Sequence, residues 1–245
     1  MQAKEEQFFD EIADKSLVEF EQLSNWDIYA LELLGNISGK QILEIGCGTG
    51  RLTLELCKRG GQVVAVDISN SAIEIAENRI RRAGWITKVK FINKAFEETT
   101  FTQGEFDYVF GKWILHHLDF KLACNKIFWT LKSNGRAVFI ETSYLNPITK
   151  FIRKHFVGKF GIRRLGTINE KPLTADEIFY AQQLFNRINL HFPEFSFFWL
   201  FDRHILDYKK LRRLAKFLND IDHAISHHLP KLNKYGYYLI IECIK

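Results

Sequence analysis

Apolar positions change their period several times along the chain, and each change marks an element. From Glu5 to Leu34 the residues Phe8, Ile12, Leu17, Phe20, Leu23, Ile28, Leu31 and Leu34 recur at helical intervals among acids and amides, which predicts a helical N-terminal arm over 1–36. Gly35-Asn36 and Ser38-Gly39 end it, and Gln41 to Ile45 reads as a first strand. A helix from Arg51 to Arg59 stops at Gly60-Gly61, and the β-branched run Val63 to Ile68 has the continuous apolar character of a buried parallel strand. Ser69, Asn70 and Ser71 are cap residues for a helix that ends at Gly84. Val89 to Ile92, Phe106 to Phe110 and Arg136 to Glu141 follow as strands, with a helix from Lys121 to Leu131 between the last two. Strands alternating with helices predict a parallel sheet covered on both faces.

After Thr142 this rhythm is lost. Residues 143–193 read as a cap insertion, basic and aromatic at first, with Pro172-Leu173-Thr174 opening a helix through Ile178, Ala181 and Phe185. Glu194 to Leu200 reads as a sixth strand, His204 to Ile225 as helical, and Tyr235 to Ile244 as a closing β-rich run, so that 194–245 completes the fold of a single domain. The expected architecture is a doubly wound, Rossmann-like α/β sheet of seven strands around the core 37–142, mostly parallel.

Composition narrows the class. The 245 residues are 47% hydrophobic and 26% charged, which suits a globular domain with a full core. No segment approaches the ~20 uninterrupted apolar residues of a membrane span, and Met1 to Glu6 does not read as a signal peptide, so a cytoplasmic protein is expected. The cysteines at 47, 57, 124 and 243 lack metal-site spacing and read as reduced core fillers; no metal site is expected. A net charge of +5 argues only weakly for an anionic partner.

The chemistry is carried by Glu44-Ile45-Gly46-Cys47-Gly48-Thr49-Gly50, a glycine loop between strand and helix. Such a loop lets backbone approach a ligand closely. Dinucleotide folds use G-x-G-x-x-G and P-loops require a following Lys; here the third dinucleotide glycine is Arg51 and no such Lys is present, which argues for a nucleoside without phosphates. Asp67, 21 residues after Gly46 at the end of the second strand, stands where a carboxylate can accept from both ribose hydroxyls.

With these pieces, with Phe106 to Phe110 running into Leu115-His116-His117-Leu118, and with Leu131 to Arg136, the chain resembles the class I S-adenosylmethionine-dependent methyltransferases over roughly residues 37–142. The resemblance implies an antiparallel last strand, S-adenosylmethionine as cofactor and S-adenosylhomocysteine as product. It implies that Gly46, Cys47, Gly48, Thr49 and Gly50 wrap the methionine and ribose part, with Glu44 orienting the loop or the cofactor's amino group. Asp67 would hold the ribose, Ile68 and its neighbour Ser69 would border the adenine, Ala95 and Phe96 would lie at the adenine edge, and Gly111 and Lys112 would lie below the methionine moiety. Many members carry an Asp where this chain has Ala95; Glu97 substitutes or the contact is absent.

Methyl transfer from a sulfonium is an in-line displacement in which positioning dominates, and a base is needed only when the acceptor must lose a proton. His116 and His117 after the fourth strand are the candidate bases, against the alternative of a strand-end cap. Glu141 and Tyr144 are further candidates, for which a solvated loop is the favoured reading. The stretch Pro147 to Arg164 mixes bulky apolar residues with Lys and Arg and contains no acid, and Lys209 to Arg213 adds a second basic cluster. This pattern suits either a lid or peripheral contact with anionic membrane. A small-molecule or lipid-linked acceptor is expected. RNA is a weaker alternative, as no RNA-binding module is present, and a non-catalytic adenosyl-binding protein is the rival of another class.

Overall fold

The computed structural model describes residues 10, 23–143, 145–156, 172–198 and 212–245. Seven strands form one sheet: β1 (Gln41–Ile45), β2 (Gln62–Asp67), β3 (Val89–Asn93), β4 (Phe106–Lys112), β5 (Leu131–Thr142), β6 (Arg187–His191) and β7 (Tyr238–Ile244). Their order is β3-β2-β1-β4-β5-β7-β6. β1 to β5 run parallel, and β7 is antiparallel to both β5 and β6. This is the Rossmann-like sheet that the alternation of periods predicts, with the antiparallel last strand that the resemblance to class I methyltransferases implies. The carboxyl ends of β1, β2 and β4 therefore share one edge, with the order reversing between β1 and β4, the position where open α/β sheets bind ligands.

The described helices are α1 (Asn25–Leu33), α2 (Arg51–Lys58), α3 (Asn70–Arg82), α4 (Phe120–Thr130), α5 (Pro147–His155), α6 (Ala175–Leu184) and α7 (Arg212–His228). Their starts follow from local chemistry. Ser24 and Thr174 form capping boxes with Asp27 and Glu177, Ser69 and Asp119 accept from the third residue on, and Asn146 caps a helix whose first residue is proline. Alternate residues of each central strand face opposite layers. Ile42 packs with Leu31, Leu52, Leu56 and Ile73 on one side, while Leu43 and Ile45 pack with Phe120, Ile127, Ile178 and Ala181 on the other. All four cysteines are free and buried.

The sixth strand is Arg187–His191, not Glu194 to Leu200. Arg187-Ile188-Asn189-Leu190-His191 alternates polar and apolar residues and pairs at the sheet edge with β7. The aromatic density of 194–198 resembles β-propensity but serves another purpose. The Phe195 N–H donates to Ser226 Oγ at 2.6 Å, and the Phe197 and Phe198 N–H groups donate to Asp222 Oδ1 at 3.2 and 3.0 Å, so side chains of α7 occupy the donors a strand ladder would need. The end of the expected cap insertion thus belongs to the sheet, and α6 contributes Ile178 and Ala181 to the core. Most of the expected N-terminal arm, Tyr144, the basic run 157–164 and Lys209 to Leu211 lie outside the described residues.

Candidate functional site

The glycine loop leaves β1 with Gly46, Gly48 and Gly50 all at positive φ (70°, 51° and 75°). Its backbone donors turn inward. Gly46 and Cys47 N–H donate to the Val66 carbonyl at 2.8 and 3.1 Å, Gly50 N–H to the Cys47 carbonyl at 3.1 Å, and Gly48 N–H to Asp67 Oδ2 at 2.7 Å. Donors consumed in this way are not offered to a phosphate, which agrees with the absence of phosphate-loop chemistry in the motif. A Cβ added at Gly46 would strike Ile114 at 2.9 Å and one at Gly50 would strike Ala76 at 2.8 Å, whereas at Gly48 it would meet nothing within 4 Å. The loop is therefore packed at both ends and open in the middle, a cradle that fits the adenosyl and methionine parts of S-adenosylmethionine.

Asp67 closes the loop from β2. Its Oδ1 accepts from Ser69 N–H at 2.9 Å, so both oxygens are held by backbone donors. Burial raises the Asp67 carboxyl above its ordinary range, against the lowering effect of the Ser69, Gly48 and Ile68 backbone donors. Ser69 caps α3 and its Oγ donates to Asp10 Oδ1 at 2.5 Å, while Ser71 N–H donates to the same oxygen at 3.1 Å. Ile68 is half-buried at the rim, and Asn93 Nδ2 holds its carbonyl at 2.9 Å.

Glu44 is buried beneath the loop and accepts from Thr53 Oγ1 at 2.6 Å. Burial pushes its carboxyl up to about 8, with the Thr53 hydrogen bond opposing and the Asp67 charge adding. Cys47 lies buried in the loop and its thiol is raised well above the usual range by burial, so its backbone, not its sulfur, shapes the site. Thr49, half-buried at the loop tip, precedes the left-handed Gly50 that starts α2.

Lys112 at the end of β4 is engaged in a network that motif reading missed. Its Nζ lies 2.6 Å from Asp27 Oδ1, and Arg51 Nη2 lies 2.9 Å from Asp27 Oδ2. Burial alone would raise Asp27, but the Lys112 and Arg51 charges outweigh it and hold the carboxyl below its ordinary value. Arg51, the residue replacing the third dinucleotide glycine, thus ties the first turn of α2 to α1. The available signal was Ser24-x-x-Asp27 as a capping box, which gives Asp27 a reason to exist but not this second use. Gly111 has Ile114 and Phe139 side chains 2.8 Å from where a Cβ would stand, so packing alone demands glycine there.

Ala95 and Phe96, expected at the adenine edge, are buried, and Phe96 belongs to the core. Lys126 from α4 donates to the carbonyls of Phe96, Glu97 and Thr99 at 2.6, 3.1 and 2.5 Å, fixing the turn Phe96–Glu98. Glu97 is half-buried on that turn.

His116 and His117 occupy a short turn (Leu115–His117) after β4, their rings 4.3 Å apart. Glu141 is fully buried, which corrects the solvated-loop reading. Its Oε1 accepts from Ile114 and Leu115 N–H at 2.9 and 2.7 Å, and its Oε2 lies 2.6 Å from His116 Nδ1. Burial, with the neighbouring His116, lowers the His117 imidazole to about 3, so His117 is neutral at ordinary pH and a weak base. The two histidines are chemically distinct: His117 is held neutral, and His116 contacts the Glu141 carboxylate.

Residues 42–135 match the model of a methyltransferase domain. The match covers less than half of the chain, which over that stretch is similar to methyltransferase domains. Among its relatives are the demethylmenaquinone methyltransferase of Lactococcus lactis, 29% identical over 133 residues (53% of this chain and 52% of that protein), and the ubiquinone/menaquinone biosynthesis C-methyltransferase UbiE of Vibrio cholerae, 29% identical over 131 residues (51% and 50%). The chain spans about half the length of these relatives. In fold, the chain is similar over its whole length to the [4+2]-cyclase SpnF, with a TM-score of 0.65, 16% identity and 97% of that chain covered. Among the described residues no helix is long and apolar enough to cross a membrane.

Proposed function

We propose that this chain methylates a small, lipid-linked acceptor at an acidic carbon or hydroxyl, with His116 as the base and Glu141 as the group that orients it. The observation that carries the reading is the 2.6 Å contact between His116 Nδ1 and a carboxylate whose other oxygen is held by two backbone N–H groups. An imidazole whose Nδ1 donates to such a carboxylate has its basic lone pair on Nε2, and the carboxylate stabilises the imidazolium formed when a proton arrives. An amine acceptor arriving neutral would need no base before attack, so this arrangement favours an acceptor that must lose a proton. The relatives named for demethylmenaquinone and for C-methylation in ubiquinone and menaquinone biosynthesis support an aromatic, lipid-linked substrate.

In this reading Gly46, Cys47, Gly48, Thr49 and Gly50 line the cofactor, Asp67 holds its ribose, Ile68 and the Ala95–Phe96 turn border the adenine, Arg51 and Lys112 with Asp27 set the charge around its methionine end, and Glu44 supports the loop from beneath as a neutral carboxyl. The cofactor supplies an electrophilic methyl group on a sulfonium. His116 takes the acceptor's proton, and the buried surroundings keep water from competing for it.

The test is transfer of labelled methyl from S-adenosylmethionine to a demethylated quinone in detergent. His116→Gln is expected to lower turnover at least a hundredfold while leaving stabilisation by S-adenosylhomocysteine intact, and His117→Gln to cost less than tenfold. Turnover by His116→Gln within twofold of the parent would sink the base assignment.

A further inference from the structure

The carboxyl end of the sheet carries a surface that the cofactor site does not use. α5 begins four residues beyond the end of β5 (Thr142), and the short helix Pro230–Tyr235 leads into β7, whose Tyr238 pairs with Thr142. Both therefore stand at the same end as the glycine loop, Asp67 and Lys112. Asn146 joins them, its Nδ2 donating to the Tyr235 carbonyl at 2.6 Å. α5 is anchored by Asn146 and Thr149, both 4% exposed, and this fixes which side of it faces out. On that side Ile148 and Phe151 are each 57% exposed, and Phe156 follows, exposed, at 6.1 Å between rings from Phe151. The neighbouring helix adds exposed Leu229, Leu232 and Tyr235.

Cations accompany these residues. Lys150 and Lys154 lie one turn apart on α5, Lys231 and Lys234 on the short helix, and all four are exposed. Neither Leu145 to Phe156 nor Leu229 to Tyr238 contains an acid. Bulky apolar side chains held outward and flanked by exposed lysines are poorly suited to water and well suited to the boundary between anionic headgroups and acyl chains.

We infer that this face, Ile148, Phe151 and Phe156 with Leu229, Leu232 and Tyr235 between four lysines, seats the protein on an anionic lipid bilayer, with the cofactor end of the sheet toward the membrane. The surface is read from exposure and charge; it rests on the preceding reading only in that a lipid-linked acceptor would then be collected where it resides. Apolar insertion supplies the short-range part of the binding, and the lysines supply an attraction that dies away within a Debye length.

The full chain would be sedimented with vesicles of phosphatidylglycerol and phosphatidylcholine, one to two, at low salt and without cofactor or acceptor. Retention is expected on these vesicles and not on phosphatidylcholine alone, with about a fivefold loss for each lysine replaced in Lys231→Gln and Lys234→Gln and near-complete loss in Ile148→Asp/Phe151→Asp. Stabilisation of that double variant by S-adenosylhomocysteine as in the parent shows that the loss is not unfolding, and reports on the cofactor site separately from the membrane face. Absence of retention at low salt, or parental retention by the double variant, overturns the inference. So does a dimer in sedimentation velocity that the same substitutions dissolve, because the face would then be covered by a second copy.

Discussion

Glu44 and His117 are both buried titratable side chains, yet burial acts on them in opposite senses. The Glu44 carboxyl moves from 4.5 up to about 8, so the folded protein holds that proton more tightly than the unfolded chain. Its contribution to stability is complete below pH 4.5 and is lost as pH rises toward 8, on the order of 1.4 kcal/mol per unit. The His117 imidazole moves from 6.5 down to about 3, so the folded protein resists protonation there and stability is lost as pH falls from 6.5 toward 3. The two slopes oppose each other between pH 4.5 and 6.5, and substitution separates them. Glu44→Gln, which preserves an acceptor for Thr53, is expected to gain stability relative to the parent as pH rises, by roughly 2–4 kcal/mol between pH 4.5 and 8. His117→Gln is expected to gain as pH falls below 6.5. Urea unfolding across this range decides both; a pH-independent difference for either variant contradicts the burial assigned to that group.

At the scale of elements, one carboxylate, Asp27, joins α1 to the start of α2 through Arg51 and to the end of β4 through Lys112. Asp27→Asn takes away the carboxylate that both largely buried cations contact. A loss of about 3 kcal/mol is expected, read as a lower urea midpoint, and the parental midpoint would show that the cations re-pair elsewhere. The sequence foretells most of what such elements are and little of what they do for one another. The parallel strands were readable because a strand buried on both faces is a continuous β-branched run, as in Val63 to Val66. Residues 194–198 misled because aromatic side chains favour strands, whereas their backbone donors are taken by Asp222 and Ser226 from a helix far along the chain. The glycine loop and Asp67 were legible for the opposite reason, as their spacing is local. Asp27 and Glu141 were not, because each acts through partners 24 to 85 and 25 to 27 residues away that no short motif connects.

At the scale of the molecule, the sheet order and the reversed last strand determine where a ligand sits but not what happens to it. A chain with the same fold over its whole length is a [4+2]-cyclase, so the architecture is compatible with more than one chemistry. What distinguishes the possibilities is whether the site spends binding energy on the adenosyl group, and that can be measured without an acceptor. S-adenosylhomocysteine at a hundred times its dissociation constant is expected to raise the melting temperature by about 5–10 °C, the shift that roughly 2.7 kcal/mol produces in a domain of this size. Asp67→Asn keeps the shape of the side chain and one acceptor oxygen but loses the charge and the second acceptor for the ribose diol, so at least tenfold weaker binding and a correspondingly smaller shift should follow. Ala95→Asp, which offers the adenine edge a carboxylate, tests the other end of the same ligand and is expected to strengthen binding if the buried turn held by Lys126 tolerates it. Parental affinity in Asp67→Asn would mean that the ribose lies elsewhere, and the glycine loop would then need a different occupant.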